Sequence, residues 1–348
     1  MPTSARPIVI LGPTAGGKSD LAVQLAQRLR GPVEPGATER SRGIILGADS
    51  MQVYRHLDAG TAKPPHRLRE LVRHDLIDIV EPTQRFTVHD WLGLADQKIR
   101  DTLAAGGAPV VVGGTNLYLK SLLEGLFDGP GKDDALRATL ADVPDAELHA
   151  RLRTIDPPAA DRIAPADRQR LTRALEVFHL TGTPISELQR EWAEQPPQTY
   201  RHDPILLGLR WDVDTINPRI NHRVKAMFFP EQVDPALAAD VCINGESLPD
   251  EARRLHAENL LGSQAREALG YKQVLAALFP KAYPGLADHK IKTLDDAFER
   301  TKILTRRFAK QQRTWLKRFH DVRWIDMPCD DPVDTALAHI DQAQNAEA

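Results

Sequence analysis

The residues best suited to chemistry open the chain: Gly12-Pro13-Thr14-Ala15-Gly16-Gly17-Lys18-Ser19 fits G-x-x-x-x-G-K-[ST]. Glycines at these places let the backbone curl, so that successive N–H groups and the start of the next helix converge on an anion. Lys18 adds a mobile positive charge, and the Ser19 hydroxyl is of the kind that holds Mg²⁺. The expected occupant is a di- or triphosphate. Such a loop must follow a strand and open a helix. Pro7 to Leu11 is an unbroken apolar run, and Leu21, Ala22, Leu25 and Leu29 recur at helical spacing, so both requirements are met.

A bound phosphate does not by itself define a reaction. Gly47-Ala48-Asp49-Ser50-Met51-Gln52-Val53-Tyr54 follows the strand-like Ile44-Ile45-Leu46. Asp49 is thereby expected at the carboxyl edge of a sheet, where α/β proteins bind ligands. Read alone it is a metal ligand, a general base or a helix N-cap. Gly113-Gly114-Thr115 ends another apolar run, Pro109 to Val112, and is expected to face the same cleft, although a bare Gly-Gly-Thr is more often a tight turn. Gly60-Thr61-Ala62-Lys63-Pro64 places a lysine in a loop, where lysines are usually solvated.

The elements that must position these groups alternate. Short apolar runs at 7–11, 44–46, 76–80 and 109–112 are separated by helical or loop segments, which predicts βαβ units and a parallel α/β sheet flanked by helices. From about Asp128 to Gln195 the β-rich runs stop, and Leu171, Leu175, Phe178 and Leu188 fall at helical spacing. After the linker Gln195-Pro196-Pro197-Gln198, Pro204 to Leu209 reads as a strand returning to the sheet. The expected division is a phosphate-binding core of 1–127 and 203–325, an all-helical insertion at 128–202, and a tail at 326–348. Gly31 to Arg42 and Phe229 to Pro249 read as surface elaborations. The last long helix is predicted from Thr293, capped through Asp296, to about Phe319. Leu304, Phe308, Trp315 and Phe319 form its apolar stripe, with Lys302, Arg306, Lys310, Arg313 and Lys317 roughly opposite.

Composition narrows the class. The 348 residues are 42% hydrophobic and 27% charged, which suits a globular chain with a sizeable core rather than a disordered one. No apolar run reaches the roughly 18 residues that span a bilayer. Met1 to Arg6 is short and polar, so a cytoplasmic protein is expected. Cys242 and Cys329 lie far apart, which suggests neither a disulfide framework nor a zinc module. The net charge of −3 carries no overall nucleic-acid signal, but Glu299 to Arg323 holds nine Lys and Arg against two acids. Taken alone a cationic helix face is usually solvated; a local excess of this size favours RNA. With only 5% aromatic residues, generic single-strand stacking is not the expected mode.

In their order and spacing, the 12–19 loop, Asp49-Ser50 with Gln52 and Tyr54, Gly60 to Pro64, and Val112-Gly113-Gly114-Thr115-Asn116-Leu117-Tyr118 resemble the signatures of tRNA dimethylallyltransferases. The resemblance continues through Gln169 to Glu176, Gly270-Tyr271-Lys272 and Arg306 to Trp315, nearly the whole chain. It implies transfer of a dimethylallyl group from dimethylallyl pyrophosphate to the exocyclic amine of the adenosine just 3′ of the anticodon in tRNA. Gly12 to Ser19 would then hold the leaving pyrophosphate, with Mg²⁺ at Ser19. Asp49 would be the general base, Thr14, Lys18 and Arg223 would meet the pyrophosphate, with Arg219 the competing arginine, and Thr115 would sit at the tRNA. The implied tRNA contacts are Asp49, Ser50, Met51, Gln52 and Thr115, then Arg137, Gln169, Arg170, Leu171, Thr172 and Arg173, then Arg306, Lys310 and Arg313. The adenine must be extruded from the anticodon loop to be reached. The implied partners are the tRNA anticodon stem-loop and dimethylallyl pyrophosphate, with no membrane and no obligate protein partner, hence a monomer. The sequence departs from the family pattern at 31–42 and 229–249, so contacts near 264–270 are not carried over. An adenylate isopentenyltransferase is a competing reading, but it needs neither the insertion nor the basic helix. A P-loop kinase or nucleotide-dependent RNA-binding protein is the other, and it would use ATP.

Overall fold

The computed structural model describes residues 6–29, 43–126, 129–194 and 199–345. The chain falls into two compact units, one running to Leu123 and resuming at Arg201, the other Glu124–Tyr200. In the first, six parallel strands form one sheet: β1 (Ile8–Leu11), β2 (Gly43–Gly47), β3 (Arg73–Asp75), β4 (Ala108–Val112), β5 (Ile205–Trp211) and β6 (Arg323–Met327), in the order β3-β2-β4-β1-β5-β6. Ile8, Val9, Ile10 and Leu11 are all buried, because helices cover both faces of a parallel sheet and leave no strand face for polar residues. β1 is central, with Ile8 opposite both Val110 of β4 and Ile205 of β5. The strand order reverses there, which makes the carboxyl end of β1 the expected place for a ligand.

The helices of this unit are α1 (Lys18–Arg28), α2 (His66–Leu71), α3 (Val88–Ala104) and α4 (Asn116–Glu124) before the excursion. The helical unit holds α5 (Asp134–Leu140), α6 (Asp145–Ile155), α7 (Pro157–Arg162), α8 (Arg168–Thr181) and α9 (Ile185–Glu194). After it come α10 (Val213–Phe228), α11 (Pro235–Val241), α12 (Leu248–Ala257), α13 (Tyr271–Leu278), α14 (Leu294–Leu316) and α15 (Pro332–Asn345). The cap expected for α14 is present in both directions: Asp296 N–H donates to Thr293 Oγ1 at 3.1 Å and Thr293 N–H to the Asp296 carboxylate at 2.9 Å. At the end of β2, Trp91 of α3 donates Nε1–H to the Gly47 carbonyl at 2.9 Å and stacks on Tyr118 at 4.5 Å, tying three elements together beneath the loop that carries Asp49.

Four expectations need correction. The run Leu76–Val80 is not a strand, because Leu76 (φ 65°) and Asp78 (φ 56°) take left-handed conformations that break extended pairing; the strand lies just before it, at Arg73–Asp75. Residues 229–249 are a surface elaboration only as far as 240, up to which none is buried. They contain α11 and lead into α12, and Val241, Cys242 and Leu248 are buried, so apolar spacing too short to register as periodic is nonetheless core. The stretch 326–348 is not a bare tail: it completes β6 and supplies α15 to the sheet unit, with Val333, Ala336 and Ile340 buried. The stripe foreseen on α14 is also rotated: the buried positions are Ala297, Thr301, Thr305, Ala309, Gln312 and Leu316, while Phe308 is exposed. Small residues face inward there because α14 packs closely along α10 and α13. The segments 31–42 and 195–198 lie outside the described residues.

The helical unit packs Leu140, Leu148, Leu152, Ala159, Ala160, Leu171 and Ala174 into its own core. Glu176 of α8, fully buried, is its polar anchor. It accepts from Arg137 Nε (2.6 Å) and Nη2 (2.8 Å), from Arg173 Nη1 (2.5 Å) and from the Asp133 amide (2.9 Å). Burial alone would raise the carboxyl of Glu176, but these donors outweigh it and hold it near 2. A carboxylate depressed in this way stabilises the folded state above its unfolded value of about 4.5 and loses that contribution as pH falls toward 2. Hydrogen exchange of α5 and α8 amides should therefore speed up between pH 4.5 and pH 2 by the equivalent of about 3 kcal/mol, and Glu176→Gln should abolish this acid sensitivity.

Candidate active site

Four strand ends build the site. After β1 the chain curls, and Gly17 reaches φ 84° as the N-cap of α1, a conformation that a side chain would strain. Lys18, buried, folds back so that Nζ–H donates to the Pro13 carbonyl at 2.8 Å. From the end of β5, Trp211 Nε1–H donates to the Gly16 carbonyl at 3.1 Å. From α10, Arg219 donates Nε–H to the Ala15 carbonyl at 3.1 Å while lying 4.9 Å from the Trp211 ring centroid. One turn further on the same face, Arg223 donates Nη2–H to Thr14 Oγ1. Both arginines thus brace the loop, and the structure separates them: Arg219 is exposed, whereas Arg223 is half-buried.

The loop lines a cavity of about 340 Å³ with Asp49, Gln52, Arg223 and Gln312. Burial, then the neighbouring Arg223, push Lys18 down to about 7, against the pull of Asp49. Burial pushes Arg223 down to about 10, again opposed by Asp49. Two desolvated cations facing one cavity repel each other, and an anion between them offsets that repulsion and favours the charged form of each.

Asp49 follows β2. Its Oδ1 accepts from the amides of Met51 (2.9 Å) and Gln52 (3.3 Å), so the capping role is real, but it occupies one oxygen. Oδ2 takes no hydrogen bond among the described residues. A second cavity of about 580 Å³ is lined by Ser50, Met51, Thr115, Asn116, Met227, Leu269 and Leu304. Thr14, Asp49, Thr61, Arg223 and Phe308 line both cavities, so two chambers adjoin at the Asp49 carboxylate. Thr115, after β4, holds this segment from the neighbouring strand: its Oγ1 accepts from the Ser50 amide at 2.9 Å and donates to Ser50 Oγ at 3.2 Å. The Gly-Gly-Thr is therefore both a turn and part of the cleft.

Other residues are placed differently from expectation. Lys63 is not solvated but fully buried, donating to the Tyr54 carbonyl (2.6 Å), Asp58 (2.8 Å) and Asp78 (2.5 Å). Of the basic positions on α14, Lys310 is exposed, Arg306 donates to Asn221 Oδ1 at 2.6 Å, and Arg313 is half-buried. In the helical unit Gln169 and Arg170 are exposed and Thr172 is half-buried. Leu171 belongs to the core, so its side chain is closed to RNA. Arg137 and Arg173 are engaged with Glu176.

Gln312 was hidden within the basic run, yet it is almost fully buried. Its Oε1 accepts from the Thr14 amide at 2.8 Å and its Nε2–H donates to the Gly114 carbonyl at 2.8 Å, clamping the loop after β1 to the loop after β4. The 305, 309, 312, 316 spacing, with an amide in the inward phase, is the signal that would have found it. Gln312→Leu keeps the shape but orphans both backbone groups, and urea denaturation should show a loss of about 1–3 kcal/mol.

Among the described residues no group of three His, Cys, Asp or Glu could hold a metal ion. The first cavity does offer the Ser19 hydroxyl, together with Asp20 and Asp240. A donor set this sparse suits Mg²⁺ carried largely by a substrate's phosphates, since that ion keeps its waters and takes few protein ligands.

The sequence model of the IPP transferase family matches residues 52–319. A tRNA dimethylallyltransferase of Geobacter sulfurreducens is 39% identical over 330 residues, 92% of each chain. One from Mycolicibacterium paratuberculosis is 38% identical over 333 residues, covering 94% of this chain and 93% of that one. Among solved structures, the full-length tRNA isopentenylpyrophosphate transferase of Bacillus halodurans superposes with a TM-score of 0.63 at 30% identity, covering 98% of this chain and 97% of that one. A eukaryotic dimethylallyltransferase acting on tRNA shares the fold, with a TM-score of 0.71 at 24% identity over 99% of this chain and 80% of that one. The family model over residues 52–319 and relatives 38–39% identical over nearly the whole length place the chain in the IPP transferase family, the tRNA dimethylallyltransferases.

Proposed function

We propose that this protein transfers a dimethylallyl group from dimethylallyl pyrophosphate to the exocyclic amine of the adenosine 3′-adjacent to the anticodon in tRNA. The observation that carries this reading is the position of Asp49, its uncapped oxygen lying where a cationic, amide-lined chamber adjoins a larger and less polar one. The diphosphate occupies the first chamber, held by the amides of Gly12 to Ser19, by Lys18 and by Arg223. Mg²⁺, bound by Ser19 and the diphosphate, would neutralise charge on the leaving group. The extruded adenine occupies the second chamber, between Thr115 and the apolar Met227 and Leu269.

As the allylic C–O bond breaks, its electron pair leaves with the pyrophosphate, and Lys18 and Arg223 stabilise the growing negative charge. The amine nitrogen forms the new C–N bond and its proton passes to Asp49. An aryl amine is a weak nucleophile because its lone pair is delocalised into the ring, so a base that relieves it of a proton during attack contributes typically 10²–10⁴-fold. Thr115 acts by holding the Asp49 segment as well as by meeting the base. Phosphates of the anticodon stem-loop meet Arg306, Lys310 and Arg313 on α14 and the exposed Gln169 and Arg170 on α8. No helix among the described residues is long and apolar enough to cross a membrane. The protein acts on tRNA in the cytoplasm as a monomer in this reading.

Incubation with unmodified tRNA, labelled dimethylallyl pyrophosphate and Mg²⁺, followed by nucleoside analysis, tests the proposal directly; ATP consumption without prenylated adenosine would refute it. Asp49→Ala should lower turnover by about a hundredfold or more while leaving tRNA affinity nearly intact, as measured by single-turnover kinetics beside filter binding. Reversing Arg306, Lys310 and Arg313 to Glu should weaken tRNA binding and flatten the dependence of log K on log salt, and an unchanged slope would show that this face is only solvated.

A further inference from the structure

Two motifs remain without a role, Gly60-Thr61-Ala62-Lys63-Pro64 and Gly270-Tyr271-Lys272, and the structure brings them together. Residues 58–64 form a tight loop whose centre is a single 3₁₀ turn, Ala59–Thr61, followed by Ala62 in a left-handed conformation (φ 48°). Thr61 lines both chambers, Gly60 lines the second, and Ala62 to Pro64 line the first. Behind the loop, Glu251 of α12 is almost fully buried and accepts from the amides of Asp58 and Ala59, each at 2.9 Å. Tyr271, the first residue of α13 and fully buried, donates its hydroxyl to the Glu251 carboxylate and accepts from the Gly60 amide at 3.2 Å. Neither Glu251 nor Tyr271 lines a chamber.

The packing around Gly60 is close enough to dictate its residue type. A Cβ there would stand 2.3 Å from Tyr271 Cε2 and 2.8 Å from Leu248 Cδ1, so glycine is needed for proximity, not for dihedral freedom. The far side of the loop is tied to the catalytic segment. Gln52 Nε2–H donates to the carbonyls of Thr61 (3.0 Å) and Ala62 (3.1 Å), and the Gln52 amide is itself one of the two that cap Asp49 Oδ1. Hydrogen bonds joined by short covalent stretches thus link Tyr271 and Glu251, through the loop backbone, to Gln52 and Asp49. Burial raises Glu251 to about 7, and the donors from Tyr271 and the backbone amides limit that rise.

We infer that Glu251 and Tyr271 are positioning residues for prenyl transfer: they fix the 58–62 loop as the shared wall of the two chambers and, through Gln52, set the aim of the Asp49 carboxylate. The inference deepens the proposed function and rests on it for its kinetic consequence, while its structural half stands independently. Removing the Tyr271 hydroxyl leaves the ring packed on Gly60 but releases the Gly60 amide and one donor to Glu251. The effect therefore falls on the orientation of the base and not on the diphosphate.

Tyr271→Phe and Gly60→Ala, each checked for native circular dichroism, should lower kcat by about tenfold while the KM for dimethylallyl pyrophosphate stays within about twofold. The pair Tyr271→Phe with Glu251→Gln should cost little more than the worse single change, because both act through one network. Amide hydrogen exchange of Asp58 to Gly60 should accelerate in Tyr271→Phe without substrate present. Wild-type kcat in a folded Tyr271→Phe protein overturns the positioning role, as does a loss confined to thermal stability. Unchanged exchange at 58–60 overturns the structural half. If the wild-type protein prenylates no tRNA, the functional reading fails on its own account and the exchange measurement still decides whether Tyr271 holds the loop.

Discussion

The molecule is organised around two positive charges drawn out of water side by side. Lys18 comes from α1 and Arg223 from α10, on either side of the helical unit in sequence, yet both face one small cavity, and each is shifted by burial toward its neutral form. Such an arrangement is unfavourable unless rigid scaffolding enforces it. The scaffolding is identifiable: β1 at the centre of the sheet, the left-handed Gly17, Trp211 on the Gly16 carbonyl, and α10 delivering two arginines from one face. The energy spent on holding cations apart from solvent becomes available when a multiply charged anion binds, and in the proposed reaction that anion is the leaving diphosphate.

A second constraint is the meeting of polar partners at the carboxyl edge of the sheet. Asp49, Thr115 and Gln312 arrive after β2, after β4 and from α14; Asp49 is held by amides of its own loop, and Thr115 and Gln312 by backbone groups of neighbouring ones. Each loop is held by a side chain from a different element, so no loop keeps its shape alone. That explains the inward face of α14, where alanines, threonines and a glutamine stand in place of the leucines that a purely structural helix would bury.

Much of this was legible in the residues. Continuous apolar runs mark β1, β2, β4 and β5, because strands covered on both faces have no reason to alternate, and the 12–19 loop carries its strand and helix with it. The end of β2 was readable for the same reason, and with it the place of Asp49. What escaped reading depended on long-range partners. Lys63 looks solvated until Asp58 and Asp78 close around it, and residues 76–80 look like a strand until two left-handed residues turn them aside. The inward phase of α14 was misjudged because Phe308 and Trp315 outrank Thr305 and Gln312 on any hydrophobic scale, although the latter are the buried ones. Leu171 shows the converse: within a run implied to touch RNA, its side chain serves the helical core.

The functional groups are contributed by segments near 12–19, 49–52, 113–115, 219–223 and 312, so the pocket is assembled from almost the full span of the polypeptide. A growing chain on the ribosome therefore has the glycine-rich 12–19 turn early but lacks the second cation of the cavity until α10 emerges and the glutamine clamp until α14 is made. Fragments released before that point have an unfinished pocket, and competence arrives only with the last third of translation. Contacts of such wide sequence separation also slow the final docking of α14 relative to the local helices, which makes that docking the natural late event of folding.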